Sequence, residues 1–117
     1  MRVAVVMLSL LCACQSMPEN LGPGAYNDYE WHSASSVNEV VPGVMESLGY
    51  TLSRHEFDGA CGYVKAVTPT GATTEVRWDW VFEDQTYLQV SSVSHAYSDR
   101  LSDAVLEEIS RALKQTG

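Results

Sequence analysis

Apolar and polar positions change rhythm several times along this chain, and each rhythm predicts an element. Val3 to Leu11 is apolar apart from Ser9 and closes on Leu11-Cys12-Ala13-Cys14. A run that short falls well below the ~20 residues a membrane-spanning helix needs, and it suits the core of a signal peptide. Gln15 to Ala25 carries Pro18, Gly22, Pro23 and Gly24 without a hydrophobic period, the composition of a linker. Tyr29, Trp31 and Ser33 then alternate with polar neighbours and predict a strand over 28–33.

Helix-period positions come next. Val37, Val40, Val41, Val44, Met45 and Leu48 form one apolar stripe, and Gly49 stops it. Ser35 or Ser36 serves as the N-cap, with Glu39 three residues after Ser36 at capping-box spacing. Pro42 conflicts with this pattern: it lacks an amide donor and restricts Val41, which predicts a kink or a helix starting near Pro42. From Tyr50 the period drops to two. Strands are expected over 50–57, ended by Asp58-Gly59; over 63–68, ended by Pro69-Thr70-Gly71; over 73–82; and from Thr86 to about His95. In the third of these, Val76, Trp78, Trp80 and Phe82 share one face, and Glu75, Arg77 and Asp79 the other. The apolar phase slips between Val90 and Val93, suggesting a bulge at Ser91-Ser92. A last helix is expected over 99–114, capped by Ser98 or Asp99, with Leu101, Val105, Ile109, Ala112 and Leu113 as its buried stripe.

Two amphipathic helices and one sheet with a single strongly apolar face imply an α+β two-layer sandwich. Its sheet is an antiparallel meander of four to five strands with both helices on one face. Trp78, Trp80 and Phe82 are expected at its centre. Facing apolar sides require even residue sums across each hairpin. A three-residue loop at 83–85 would pair Trp80 with Leu88 and Trp78 with Val90. A five-residue loop at 68–72 would set Lys65 opposite Glu75 and Tyr63 opposite Arg77, all on the outer face.

The residues around Cys14 resemble the lipobox of bacterial lipoproteins: Leu11 three before the cysteine and the small Ala13 directly before it, with Cys12 departing from the usual small residue between them. The resemblance implies diacylglycerol in thioether linkage on Cys14, cleavage after Ala13 and N-acylation, the palmitate-bearing state that holds such proteins on a membrane. Two or three chains anchor stably where one does not. Gln15, rather than Asp, follows the cysteine, so in a Gram-negative cell the resemblance implies the periplasmic face of the outer membrane. The chain then divides into a signal at 1–13, acylated Cys14 with a flexible tether at 14–25, and one domain at 26–117. Loss of residues 1–13 removes Arg2 and no acid, taking the formal charge from −8 to −9. Nucleic acid and anionic headgroups are therefore poor partners, and the expected ones are the membrane, through the anchor, and an envelope protein. With Cys14 acylated, Cys61 is expected to be buried and inert or available for an intermolecular link.

The element order also resembles a family of small bacterial lipoproteins of uncharacterised function. The matching residues are the signal with Cys14, Glu46-Ser47-Leu48-Gly49-Tyr50, Asp58-Gly59 followed by Gly62-Tyr63-Val64, and the last amphipathic helix. Pro42 departs from the family's usual helix. The resemblance implies the fold and brings no catalytic residues.

Candidate chemistry is sparse. His32, His55 and His95 show no HxH or HExxH spacing, and there is no CxxC, so neither metal nor cofactor is expected. No GxSxG elbow or catalytic-cysteine context occurs. Glu75 and Asp79 flank Arg77 on one strand face, a spacing that fits a solvated face as well as an acid pair. Tyr63, Arg77 and Tyr87 on the outer face have interface-like composition and are the candidate binding residues, unless Tyr26, Tyr29 and Trp31 fold back to cover them. The reading is a non-enzymatic, membrane-tethered module that contacts an envelope protein or the cell-wall layer. Its rivals are a small-ligand or metal-binding module with a pocket between sheet and helices, and an envelope hydrolase using Glu75, Asp79 or a histidine.

Overall fold

Strands and helices follow the order that the periodicities imply. The structure, a computed structural model, describes Leu21, residues 26–94 and residues 96–116; the signal segment, Cys14 and His95 lie outside the described residues. β1 (Tyr26–Glu30) leads to α1 (Ala34–Ser47), then to β2 (Thr51–Phe57), β3 (Cys61–Val67), β4 (Thr73–Phe82), β5 (Gln85–Ser94), the short β6 (Ala96–Tyr97) and α2 (Asp99–Thr116). Strand order is β1-β5-β4-β3-β2, with β6 also bonded to β5 and every pair antiparallel. Val37, Val41 and Met45 of α1 and Val105, Ile109 and Leu113 of α2 close over Val64, Val76, Trp78, Leu88 and Val90 on one sheet face. Each such side chain removed from water contributes about 1.5–3 kcal/mol, which is why the helices lie on that face. The fold is the α+β two-layer sandwich.

α1 starts one turn earlier than its serines suggest. Ser33, extended at ψ 157°, caps it by accepting from the Ser36 amide at 3.1 Å, so Ser35 and Ser36 lie inside the helix. Helical backbone continues through Pro42, so the helix neither begins there nor breaks there. At the other end Gly49 takes φ +91°; its amide donates to Glu46 and that of Tyr50 to Met45. These two bonds are the Schellman closure that a left-handed glycine permits. α2 is capped by Ser98, whose Oγ accepts from the Leu101 amide at 3.3 Å. Its buried stripe is rotated slightly from expectation: Ser102 and Leu106 are buried with Val105, Ile109 and Leu113, while Leu101 and Ala112 are half-buried.

Trp78 is the centre of the core, but Trp80 and Phe82 are not in it. Both are exposed, with Val81 beside them. β4 has ten residues and β3 seven; β3 pairs with β4 only from Cys61↔Asp79 to Val67↔Thr73, so the last three residues of β4 overhang. A bulge between Trp80 and Phe82 and a two-residue connection, Glu83-Asp84, set the β4–β5 register at Trp80↔Thr86, Trp78↔Leu88 and Val76↔Val90. The expected facing side was right and the register two residues off. Lys65↔Glu75 and Tyr63↔Arg77 pair as expected.

No bulge occurs at Ser91-Ser92, which pair regularly with Glu75 and Thr74. Ser92 instead points inward within a buried polar cluster. Its Oγ lies 2.7 Å from Thr74 Oγ1, which donates to the Tyr50 hydroxyl at 2.7 Å, and its amide donates to Ser102 Oγ at 2.9 Å. Each buried polar atom there has its partner, so the serines sit in the core without the cost of an unmade bond. The other bulge lies on the edge strand β2, between Leu52 and Arg54, where Ser53 Oγ donates to the Lys65 carbonyl at 3.1 Å.

β1 lies slightly earlier than expected and with the opposite phase. Tyr26 packs against the core and Glu30 is buried, its carboxylate accepting from Ser110 Oγ of α2. Tyr29 and Trp31 point to solvent.

Candidate functional site

The sheet face away from the helices is built from alternate residues of β1 to β5. Tyr63, Arg77 and Tyr87 all stand on it, but Tyr63 is only 2% exposed and Arg77 6%, while Tyr87 is half-buried. The expected solvent-open patch is thus closed at two of its three residues. Leu21, inside the stretch expected to be a flexible tether, is buried there against Ala60, Cys61 and Tyr63. Tyr26 and Trp31 do not provide the cover: one packs into the core and the other is exposed.

The polar groups of this face bind each other. Tyr63 donates its hydroxyl proton to Glu75 Oε2, and the Arg54 guanidinium sits 5.0 Å from the Tyr63 ring centroid while pairing with Glu56. The bulge in β2 makes this possible, because it sets Glu56 opposite Tyr63 and Arg54 opposite Lys65. Burial, reinforced by the hydrogen bond to Glu75, pushes the Tyr63 hydroxyl well above the usual tyrosine range. Arg77 grips Asp79 with both arms of its fork, Nε to Oδ2 at 3.0 Å and Nη2 to Oδ1 at 2.9 Å. Such a pair adds little net stability, but removing one partner leaves the other buried and uncompensated. Glu75 and Asp79, the sequence's acid-pair candidates, are therefore occupied as braces for Tyr63 and Arg77.

Cys61 belongs to the same cluster and corrects an expectation. It is buried, as anticipated, but its sulfur is disulfide-bonded rather than a free thiol. The two described histidines lie apart. His55 Nε2 lies 2.7 Å from Asn38 Oδ1, and His32 accepts at its carbonyl from Thr86 Oγ1 at 2.7 Å. Among the described residues no group of three or more His, Cys, Asp or Glu side chains converges to hold a metal.

What stays open to solvent lies elsewhere. Tyr29 and Tyr87, directly opposed on β1 and β5, hold their rings in a tilted contact, 45° between planes and centroids 4.9 Å apart. At the overhanging end of β4 and β5, Trp31, Trp80, Val81 and Phe82 are exposed, and Trp31 and Phe82 line a surface groove of about 480 Å³ with Glu83, Asp84 and Gln85. The alternation along β4 alone places Trp80 and Phe82 in the core. The signal that would have separated them was strand length, since the expected third strand was already longer than its second-strand partner.

No family model matches the chain, and no curated protein matches it significantly.

Proposed function

We propose that this chain is a lipid-anchored envelope module of non-enzymatic, accessory type, held by acyl chains on Cys14 and contacting protein or the cell-wall layer from the membrane surface. The observation that carries this reading is the run Leu11-Cys12-Ala13-Cys14 closing an apolar segment too short to span a bilayer. Two features support it. The carboxylates of the outer face serve as internal braces. The aromatic area left for contact is the Tyr29–Tyr87 pair and the end of β4, in place of Tyr63 and Arg77. In a Gram-negative cell, the same reading puts the domain on the periplasmic face of the outer membrane.

Intact-mass measurement of the mature protein, taken from envelope membranes with and without reduction, tests this directly. The expected product starts at Cys14 and carries diacylglycerol and an N-acyl chain that reduction does not release. In the cleaved and acylated chain Cys61 has no cysteine left for an internal disulfide, so this reading requires the Cys61 disulfide to be absent from the mature form. An unmodified cysteine, cleavage elsewhere, or a Cys14–Cys61 disulfide would overturn it, because one sulfur cannot hold both a thioether and a disulfide. Crosslinking from position 29 or 87 in intact cells then identifies what the module touches.

A further inference from the structure

Trp31 is 76% exposed, Phe82 70%, Trp80 54% and Val81 39%, and register places them together. Trp80 is opposite Thr86, whose hydroxyl binds the His32 carbonyl, so Trp31 sits beside the β4–β5 overhang. Their end of the sheet is also the end at which Leu21 sits. Leu21 packs on Ala60 and Cys61; the Ala60 carbonyl accepts from the Trp80 amide at 2.8 Å, and Cys61 is opposite Asp79. Cys14 lies seven residues before Leu21. Seven residues span at most ~25 Å, and the far end of β3 lies roughly 20 Å further on.

Turning the 68–72 end to the bilayer would use about 20 Å of that roughly 25 Å reach, whereas the aromatic end is reached with most of the tether slack, so a lipid on Cys14 favours the aromatic end. Indole and phenyl rings suit that boundary: Trp enriches at the headgroup level, where a flat apolar ring with a polar edge meets both phases. Glu83 and Asp84 border the rings, and the mature chain is strongly acidic. Acidic borders are repelled by anionic headgroups and tolerated by zwitterionic ones. We infer that Trp31, Trp80, Val81 and Phe82 form a docking tip that seats the domain end-on in a zwitterionic phospholipid interface, with the acyl chains as the primary anchor. This inference rests on the acylated-Cys14 reading.

The test reconstitutes the mature acylated protein into phosphatidylcholine vesicles containing acyl-brominated lipid and reads tryptophan emission. Trp78, wholly buried, supplies the unquenched baseline. The expected result is a blue shift with quenching of the Trp31 and Trp80 contribution by roughly twofold. A W31A/W80A/F82A variant, altered only at exposed positions and checked for fold by circular dichroism, should return emission to the Trp78 baseline while staying on the vesicles. Replacing part of the lipid by phosphatidylglycerol should weaken the quenching.

Emission that stays unshifted and unquenched, in protein whose Cys14 is acylated by mass, overturns the docking tip and leaves the anchor standing. Burial of these tryptophans through concentration-dependent self-association of the unacylated domain, or only on adding an envelope protein, assigns the tip to that partner and overturns it too. Unacylated Cys14 in the same preparation overturns the anchor itself.

Discussion

Gly62 stands where Trp78 needs room. The two are opposed across β3 and β4, and a β-carbon on Gly62 would fall 1.9 Å from Trp78 Cε2. That ring is fully buried between the helices and the sheet, with Phe57 stacked 6.3 Å away. It has no space to retreat into, so Gly62→Ala should cost about 3 kcal/mol or more. A urea unfolding midpoint close to wild type would contradict this. Tyr63 gives a second prediction. Because folding raises its hydroxyl pKa, the folded state keeps a proton that the unfolded chain gives up above pH ~10. Its contribution is complete below that pH and declines as pH rises further. Tyr63→Phe should lose about 1–2 kcal/mol at pH 8 through the missing bond to Glu75. Its deficit against wild type should then shrink between pH 10 and 11. Paired urea titrations check the sign; a deficit that widens with pH would rule the coupling out.

Among the elements, α1 carries its proline in mid-helix, where the ring withholds the amide that would donate to the Asn38 carbonyl. Pro42→Ala should therefore raise stability by about 1–3 kcal/mol, moving the thermal midpoint of far-UV circular dichroism up by several degrees. An unchanged midpoint would mean that the helix already carries no cost there. The sheet shows what period and parity can convey. Alternation told which side of β4 is apolar, and even sums told which faces meet. Neither says where the helix layer ends or which of two even registers holds, so Trp80 and Phe82 were assigned inward and the β4–β5 pairing slipped by two. At Ser92 a polar residue inside an apolar phase looked like a bulge. Only its partners Thr74 and Ser102, ten or more residues away, make it a core residue.

For the whole molecule, layer architecture was legible because two stripes and one apolar sheet face leave few ways to pack. The candidate surface was less so. Tyr63 and Arg77 read as exposed from their polar neighbours on alternate positions, yet Leu21 comes from outside the sheet to bury that corner. Composition alone marked residues around Leu21 as linker. At this scale the prediction is metabolic: cells fed labelled palmitate should incorporate it into the wild-type protein, and Cys14→Ser should abolish incorporation. Label persisting in that variant would place the acyl chain on another residue.

The bulge in β2 has a further consequence for molecules crowded on one surface. The proposed lipid anchor on Cys14 would confine copies to two dimensions and raise the frequency with which sheet edges meet. β2 is an open edge of this sheet, and its ladder is interrupted at Ser53 beside Arg54, His55 and Glu56. A neighbour's strand would have to match an irregular hydrogen-bond spacing while setting charges against its own. Dense coverage of a membrane by this protein should accordingly leave each copy a separate body, protected from strand-to-strand polymerisation on that side.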